Sequence, residues 1–471
     1  MGKVEELLTK SNLIMKKSLA GLDYEKFERE FISFDYDGLM NSVPYDISDV
    51  IKIQREHKVG GTPIYELKNI NKIVKKLSKP GFGAKILIKD EANNASGSFK
   101  ARRASLSLFH AKKLGYEGVV AETSGNYGAA VSSQAAQMNL KAIIIQEVFD
   151  SKWVGQPEIL EKGRACEAYG AEVWQMTVGP ELFYWTLVIL EETGYFNASL
   201  YTPFAIKGID TLGYEIANDI KEKYGKFPDY VLVTHAGGGN ITGTKRGLIL
   251  ANAKDTKVVG VSVDLRGLHM ASDRDFNRKS FTTGHTGFGV PFLVKPDRTD
   301  VPRNAARPLR YIDRYFIVSQ GEVFYTTILL AQLEGLERGP AGNTALASAI
   351  PFATQLPEDK IIVVQETEYT GAGKHPYAQL TFAKKMGVEV VRGDPKDNIP
   401  GKKIVIPEDI ENLRYEEIDM EEIKISYLKH SLENINEITK SDLNFLKEEV
   451  NETESDFVER FLFKKGVKVY G

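Results

Sequence analysis

Short β-branched apolar runs alternate with helical patterns through the middle of the chain, and few folds accept that alternation. AKILIKDE (residues 84–91) reads as a strand, and SFKARRASLSLFHAKKLG (98–115) as an amphipathic helix closed by Gly115. GVVAETS (118–124), KAIIIQEV (141–148) and AEVWQMTV (171–178) continue as strands. GNYGAAVSSQAAQMNL (125–140) and PEILEKGRACEAYG (157–170) are the helices between them. A second series opens with the helical IDTLGYEIANDIKEKYG (209–225), closed by Gly225, and passes through DYVLVTHA (229–236). It continues with a helix near TGTKRGLILANA, the strand KVVGVSVD and the distant strand KIIVVQET (360–367). Runs that apolar suit strands covered on both faces, so parallel βαβ units are predicted. The 471 residues suffice for two such domains with terminal elaborations. The expected division is a helical extension over 1–60, a larger α/β domain from 61–100 and 206–400, and a smaller one over 101–205. An acidic helical tail over 401–471 is expected to present a solvated face or an oligomer contact.

Composition removes several functions. Lys+Arg 61 against Asp+Glu 64 leaves a net charge of -3, which gives no footprint for nucleic acid or an anionic membrane. No apolar run is long enough to span a bilayer, and the charged N-terminus does not resemble a secretion signal. Cys166 is the only cysteine, so no disulfide can form within the chain, and a reducing, cytoplasmic setting is expected. The seven histidines show no metal-ligand spacing, so no metal is expected.

Three loops carry chemistry, each between a strand and a helix. In the first, Ser96-Gly97-Ser98 precedes Lys100 in a first helical turn, where the positive helix end favours a neutral amine able to form an imine with an aldehyde. A surface lysine on a capped helix is the commoner fate. The second, Glu122-Thr123-Ser124-Gly125-Asn126-Tyr127-Gly128, puts Asn126 and backbone N–H groups at the carboxyl edge of a sheet, where α/β proteins bind ligands. In the third, His235-Ala236-Gly237-Gly238-Gly239-Asn240, unshielded glycine N–H groups can wrap a phosphate. Gly237-x-Gly239-x-x-x-Gly243 followed by Asp264 also imitates a dinucleotide site, which would instead predict a nicotinamide-dependent dehydrogenase.

In this order the three loops resemble the fold-type II pyridoxal-phosphate enzymes, such as threonine synthase, the tryptophan synthase β subunit and cysteine synthase. Asn94-Ala95-Ser96-Gly97-Ser98-Phe99-Lys100-Ala101-Arg102 follows the family's lysine motif, with Ala95 for proline and Ala101 for aspartate. Thr123–Gly128 is the family's Thr-Ser-Gly-Asn-x-Gly loop intact. Weaker matches are Lys207–Ile216 and Glu334–Gly342, so the likeness spans about residues 60–390. It implies two doubly wound α/β domains with pyridoxal 5'-phosphate between them, held through an imine on the catalytic Lys100. Asn126 would bond the phenolate oxygen, and Gly237, Gly238, Gly239 and Asn240 would hold the phosphate. Ser124, Gly125 and Tyr127 would meet the substrate, with packing the competing role for Tyr127. Beside the pyridine nitrogen stands either Thr370, in a Thr-Gly-x-Gly run, or Glu366.

The wording of the loops is most similar to family members that split 2-amino-4-oxopentanoate with coenzyme A into acetyl-CoA and alanine during ornithine breakdown. Those act with a small α subunit, and a homo-oligomeric core is expected. Threonine synthase-like replacement or ammonia-lyase chemistry on another amino acid is the alternative. Cys166, inside a helical pattern, is expected to be a core residue and not an acyl carrier. Arg303-Asn304-Ala305-Ala306-Arg307-Pro308-Leu309-Arg310 could meet the phosphates of coenzyme A, with solvated arginines as the plainer reading.

Overall fold

Two parallel sheets form the body, from strands β1 (Ile64–Glu66), β2 (Lys85–Asp90), β3 (Gly118–Thr123), β4 (Lys141–Phe149), β5 (Glu172–Thr177), β6 (Phe196–Asn197), β7 (Tyr230–Thr234), β8 (Lys257–Val263), β9 (Arg314–Val318) and β10 (Ile361–Glu366). The computed structural model describes residues 3–150, 152–179, 181–267, 279–283, 300–369, 371 and 373–470. In the larger sheet the order is β1-β2-β10-β7-β8-β9, with the segment Glu416–Ile418 added beyond β9. Its pairs are parallel from β2 to β9, whereas β1 and Glu416–Ile418 join antiparallel at the two edges. The smaller sheet, β5-β4-β3-β6, is parallel throughout.

Burial explains the parallel arrangement. Every residue of β3 and of β10 is buried, so both sheets are covered on both faces. Val363 of β10 lies in register between Leu87 and Val231, and each such fully buried side chain contributes about 1.5–3 kcal/mol relative to exposure. The sequence reading did not mark β9. Its five residues are too few to show a period, and its connection from β8 contains no helical pattern to announce it.

Helices cover the sheets at very close range. The long helix Pro203–Tyr224 begins at Thr202, whose side chain accepts from the Ala205 N–H, and ends at Gly225 with φ 72°. A Cβ on its Gly208 would overlap the Arg102 carbonyl oxygen, and one on Gly213 would lie 2.8 Å from the Thr244 carbonyl carbon. Both glycines therefore permit backbone contact, with the Lys100 helix (Lys100–Lys113) on one side and the helix Gly239–Leu250 on the other. Arg102 locks this packing. Its guanidinium donates to Glu91 at 2.7 and 2.8 Å and to Glu215 at 2.7 Å, all deep in the interior. Burial raises the Glu215 carboxyl, but Arg102 and Lys89 outweigh it and hold it well below the usual range.

Both ends of the chain pack onto this body. Leu7, Ile14 and Met15 join Val120, Ile145 and Leu187 in one cluster against the smaller sheet. In the tail, Ile423, Tyr427, Leu428, Leu446, Val450 and Leu462 share a core with Ile209, Leu212 and Val231 of the larger domain. Periodic apolar positions among the acidic residues are thus buried within the same chain, and the expectation of a wholly helical tail is corrected by the short strands Lys403–Ile406, Glu416–Ile418, Glu437–Thr439 and Lys468–Tyr470.

Candidate active site

The carboxyl ends of β2, β3, β7 and β10 deliver the motif loops, because parallel strands end on one side and each is followed by a helix. Asp90 and Glu366 are cross-strand partners at the ends of β2 and β10. Residues 97–99 then run beside residues 367–369, with the Phe99 N–H donating to the Thr367 carbonyl at 3.0 Å and the Tyr369 N–H to the Gly97 carbonyl at 2.7 Å. This pairing sets where the next residue, Lys100, enters its helix.

Lys100 is half-buried, with Nζ 4.7 Å from the Phe99 ring centroid. Its pKa falls well below the usual lysine value. Burial is the main cause, the charges of Arg103 and Lys374 add to it, and Glu368 opposes it. The helix-end argument reached the same direction through a different cause. A neutral amine is what attack on an aldehyde requires.

Asn126 begins the helix Asn126–Met138. Thr123 Oγ1 shapes the loop before it, accepting from the Gly125 N–H at 2.9 Å and the Gly128 N–H at 3.0 Å. Ser124 and Asn126 are half-buried and Gly125 is buried. Asn126 Nδ2 donates to the Glu368 carboxylate, and its Oδ1 is buried without a hydrogen-bond partner. Tyr127 is turned into the core. Its hydroxyl donates to the Ala198 carbonyl at 2.5 Å and its ring lies in the core, because position two of this helix points back into the smaller domain.

After β7, Gly238 takes φ 80° and Gly239 starts its helix. Side chains close on the glycines from the protein side. A Cβ on Gly237 would meet Tyr201 Cζ at 3.1 Å, on Gly238 the Pro308 ring at 2.8 Å, and on Gly239 the Arg103 Cζ at 2.7 Å. The loop thus presents bare amides at a helix N-terminus, an anion-binding arrangement. Asn240 is buried, and its Nδ2 has no hydrogen-bond partner.

Glu366 is fully buried, with neither carboxylate oxygen hydrogen-bonded. Burial first, then Asp90 and Glu368, push its pKa well above the usual carboxyl value, which favours the protonated form. Thr370 lies outside the described residues.

Sequence reasoning missed an ion chain beside Lys100. Lys374 Nζ lies 2.6 Å from Glu158 Oε1 and also pairs with Glu368, all three buried. Burial raises the Glu158 carboxyl, and burial lowers the neighbouring Lys162 amine. Glu158 belongs to the helix Pro157–Ala168 of the smaller domain, whereas Glu368 and Lys374 follow β10, so the chain of charges spans the cleft. Arg103 was missed as well. No local pattern marks any of these residues.

The arginines offered for coenzyme A are paired instead. Arg303 donates to Glu28 at 3.0 and 2.8 Å, Arg307 to Glu449 at 3.0 Å, and Arg310 to Glu449 at 2.5 Å. They anchor the chain ends to the body, which corrects that expectation. Cys166 is buried, and burial pushes its thiol up to about 11.

Pyridoxal phosphate fits these residues on three observations: an enclosed amine whose pKa burial lowers, a glycine cradle with an unsatisfied Asn240 amide, and a buried Asn126 oxygen lacking a partner. Comparison with known proteins agrees. The family described as "Pyridoxal-phosphate dependent enzyme" matches residues 56–368. A "2-amino-4-ketopentanoate thiolase beta subunit" of unknown prokaryotic origin is 62% identical over 458 residues, covering 97% of each chain. Its namesake from Acetoanaerobium sticklandii is 57% identical over 452 residues, covering 96% of this chain and 95% of that one. Among solved structures, O-ureido-L-serine synthase matches with TM-score 0.50 at 19% identity, over 67% of this chain and 89% of that one. A hydrogen sulfide-producing enzyme from Fusobacterium nucleatum matches with TM-score 0.50 at 21% identity, over 69% and 98%. These two likenesses concern the fold alone. The dehydrogenase reading of the triglycine loop is set aside.

Proposed function

Since the chain belongs to the pyridoxal-phosphate dependent enzymes, we propose that it is the β subunit of a thiolase that cleaves 2-amino-4-oxopentanoate with coenzyme A to acetyl-CoA and alanine. Identity of 62% and 57% to two proteins of that name, along nearly the whole chain, carries this reading. A small α subunit, a homo-oligomeric core and a cytoplasmic location go with it. No helix among the described residues is long and apolar enough to cross a membrane.

The residues divide the work. Bound pyridoxal phosphate supplies an electron sink for negative charge developing beside the substrate's amino group. Lys100 would carry the cofactor and, once freed, act as the neutral base that takes and returns the proton at the substrate Cα. Gly237, Gly238, Gly239 and Asn240 would hold the phosphate, and Asn126 the ring oxygen. Glu366 at the end of β10 is the described candidate for the pyridine nitrogen. Its raised pKa favours the proton-bearing carboxyl, which would hydrogen-bond the ring nitrogen. Thr370 remains the other candidate from sequence. Ser124 and Gly125 remain candidates for the substrate carboxylate.

Cys166 is unsuited to hold an acetyl group, because its thiol is buried and resists ionisation. The acetyl group would therefore pass directly to the sulfur of coenzyme A as the C3–C4 bond breaks, the electron pair staying on C3 and the thiol proton in net completing the methyl group of alanine. Product analysis with 2-amino-4-oxopentanoate and coenzyme A, in the presence of the α subunit, tests the assignment. Stoichiometric acetyl-CoA and alanine are expected. Ammonia release, or turnover that does not depend on coenzyme A, would move the chain to another reaction of the family. Borohydride reduction followed by peptide mapping should place the pyridoxyl adduct on Lys100.

A further inference from the structure

Four arginines among the described residues are buried: Arg102, Arg103, Arg303 and Arg307. Three have carboxylate partners, in Glu91 and Glu215, in Glu28 and in Glu449. Arg103 is the exception. Among the described residues its hydrogen bond is to a neutral acceptor, the Leu200 carbonyl at 3.1 Å from Nη1, and its buried Nε has no partner. A guanidinium taken out of water without an anion is costly, and such groups are ordinarily paired. Burial accordingly pulls its pKa down to about 10, with only Tyr201 and Tyr127 opposing.

Geometry shows which anion is missing. Arg103 stands three residues after Lys100 on the same helix, so both side chains leave one face. Its guanidinium rests directly against Gly239, in the space a Cβ there would need, with Cζ 2.7 Å from that position. Gly239 is the first residue of a twelve-residue helix, whose opening N–H groups lack intrahelical acceptors. The Asn240 Nδ2, also buried and unsatisfied, adds a further donor. A cation, a helix start and an orphaned amide therefore meet at one end of the cleft, with the Lys100 amine on the same helix face.

We propose that the Arg103 guanidinium is the counter-ion of the cofactor's phosphate, reaching the triglycine cup from the Lys100 helix and making the site selective for phosphorylated pyridoxal. The proposal depends on family membership and is independent of the thiolase reading. It also accounts for Gly239, since any side chain there would push the guanidinium off the cup.

Stripped apoprotein titrated with pyridoxal phosphate and with unphosphorylated pyridoxal, followed by the absorbance of the bound chromophore, provides the test. Arg103→Gln should weaken pyridoxal phosphate on the order of 10- to 100-fold more than it weakens pyridoxal, the range for a charge-assisted hydrogen bond, the pyridoxal titration reporting whatever the lost charge does to the Lys100 amine. Arg103→Lys, which keeps the charge without the fork, should recover part of the loss. Equal losses for both ligands would mean that Arg103 only braces Leu200, and no loss would mean that the glycine amides suffice. Either overturns the proposal. A measurement on the unaltered holoenzyme stands apart from folding of the variants. The phosphorus resonance should stay that of the dianion well below the free group's second pKa of about 6, and ordinary titration near that value would refute a resident counter-ion.

Discussion

Replacing Gly208 by alanine asks whether the Lys100 helix is held by backbone contact or by helix propensity, because the two give opposite signs. Gly208 sits inside the helix Pro203–Tyr224, where alanine is intrinsically better than glycine by about 1 kcal/mol. The added Cβ, however, would lie 3.0 Å from the Arg102 carbonyl carbon and 3.3 Å from Arg103 Cα, and would overlap the Arg102 carbonyl oxygen. Apolar carbon contacts settle at about 3.5–4.0 Å, so the two helices must part by about half an ångström or more. Gln54 makes that hard, since its Nε2 donates both to the Arg102 carbonyl at 3.1 Å and to the Gly208 carbonyl at 2.7 Å. The buried Arg102–Glu215 pair would stretch as well. Overpacking against backbone costs about 3 kcal/mol at the upper end of its usual range, which leaves a net loss of about 2 kcal/mol. Urea unfolding of the apoprotein followed by circular dichroism measures it, with Gly225 kept as the helix end. Cofactor affinity should fall in parallel, because Lys100 and Arg103 ride on the displaced turn. A Gly208→Ala protein more stable than the parent would refute the contact argument.

Other outcomes follow from buried groups. Cys166→Ala should leave turnover nearly intact, and the native thiol should resist alkylation at neutral pH, since burial pushes it up to about 11. Near-total loss of activity would restore a cysteine-bound acetyl. Lys374→Met leaves Glu158 and Glu368 facing each other without their cation, which should cost about 3–5 kcal/mol in the apoprotein. Mild acid should return part of that loss by protonating a carboxyl, as unfolding at two pH values would reveal. Glu366 holds its proton more tightly folded than unfolded, so the native state binds more protons above the ordinary value of 4.5. Its contribution to stability therefore falls as pH rises from there towards its elevated folded pKa. Glu366→Gln should flatten that decline, and an unchanged slope of stability above the ordinary carboxyl value would show that Glu366 does not titrate as described.

Rules acting within a few residues made part of this protein legible without coordinates. β-branched runs bounded by glycines announced most strands of the two sheets, and loops placed after strands announced Lys100, Asn126 and the three glycines. Those motifs are local, because a glycine's freedom or a helix's opening amides depend on immediate neighbours. Tertiary structure alone decided the charges around them. Glu158 and Lys374 stand far apart in the chain yet lie 2.6 Å from each other, and nothing near either residue selects that partner. Likewise Arg307 and Arg310 looked available for an anion until the tail brought Glu449 to them. Tyr127 read equally as a substrate contact or a packing residue, and the turn of its helix aimed it at Ala198. Neighbouring arginines show the same division: Arg102 met Glu91 and Glu215, Arg103 met none of the described carboxylates, and only packing could tell them apart. Pairing energy depends on distance in space and on water excluded from between the partners, and neither quantity is written in residue order.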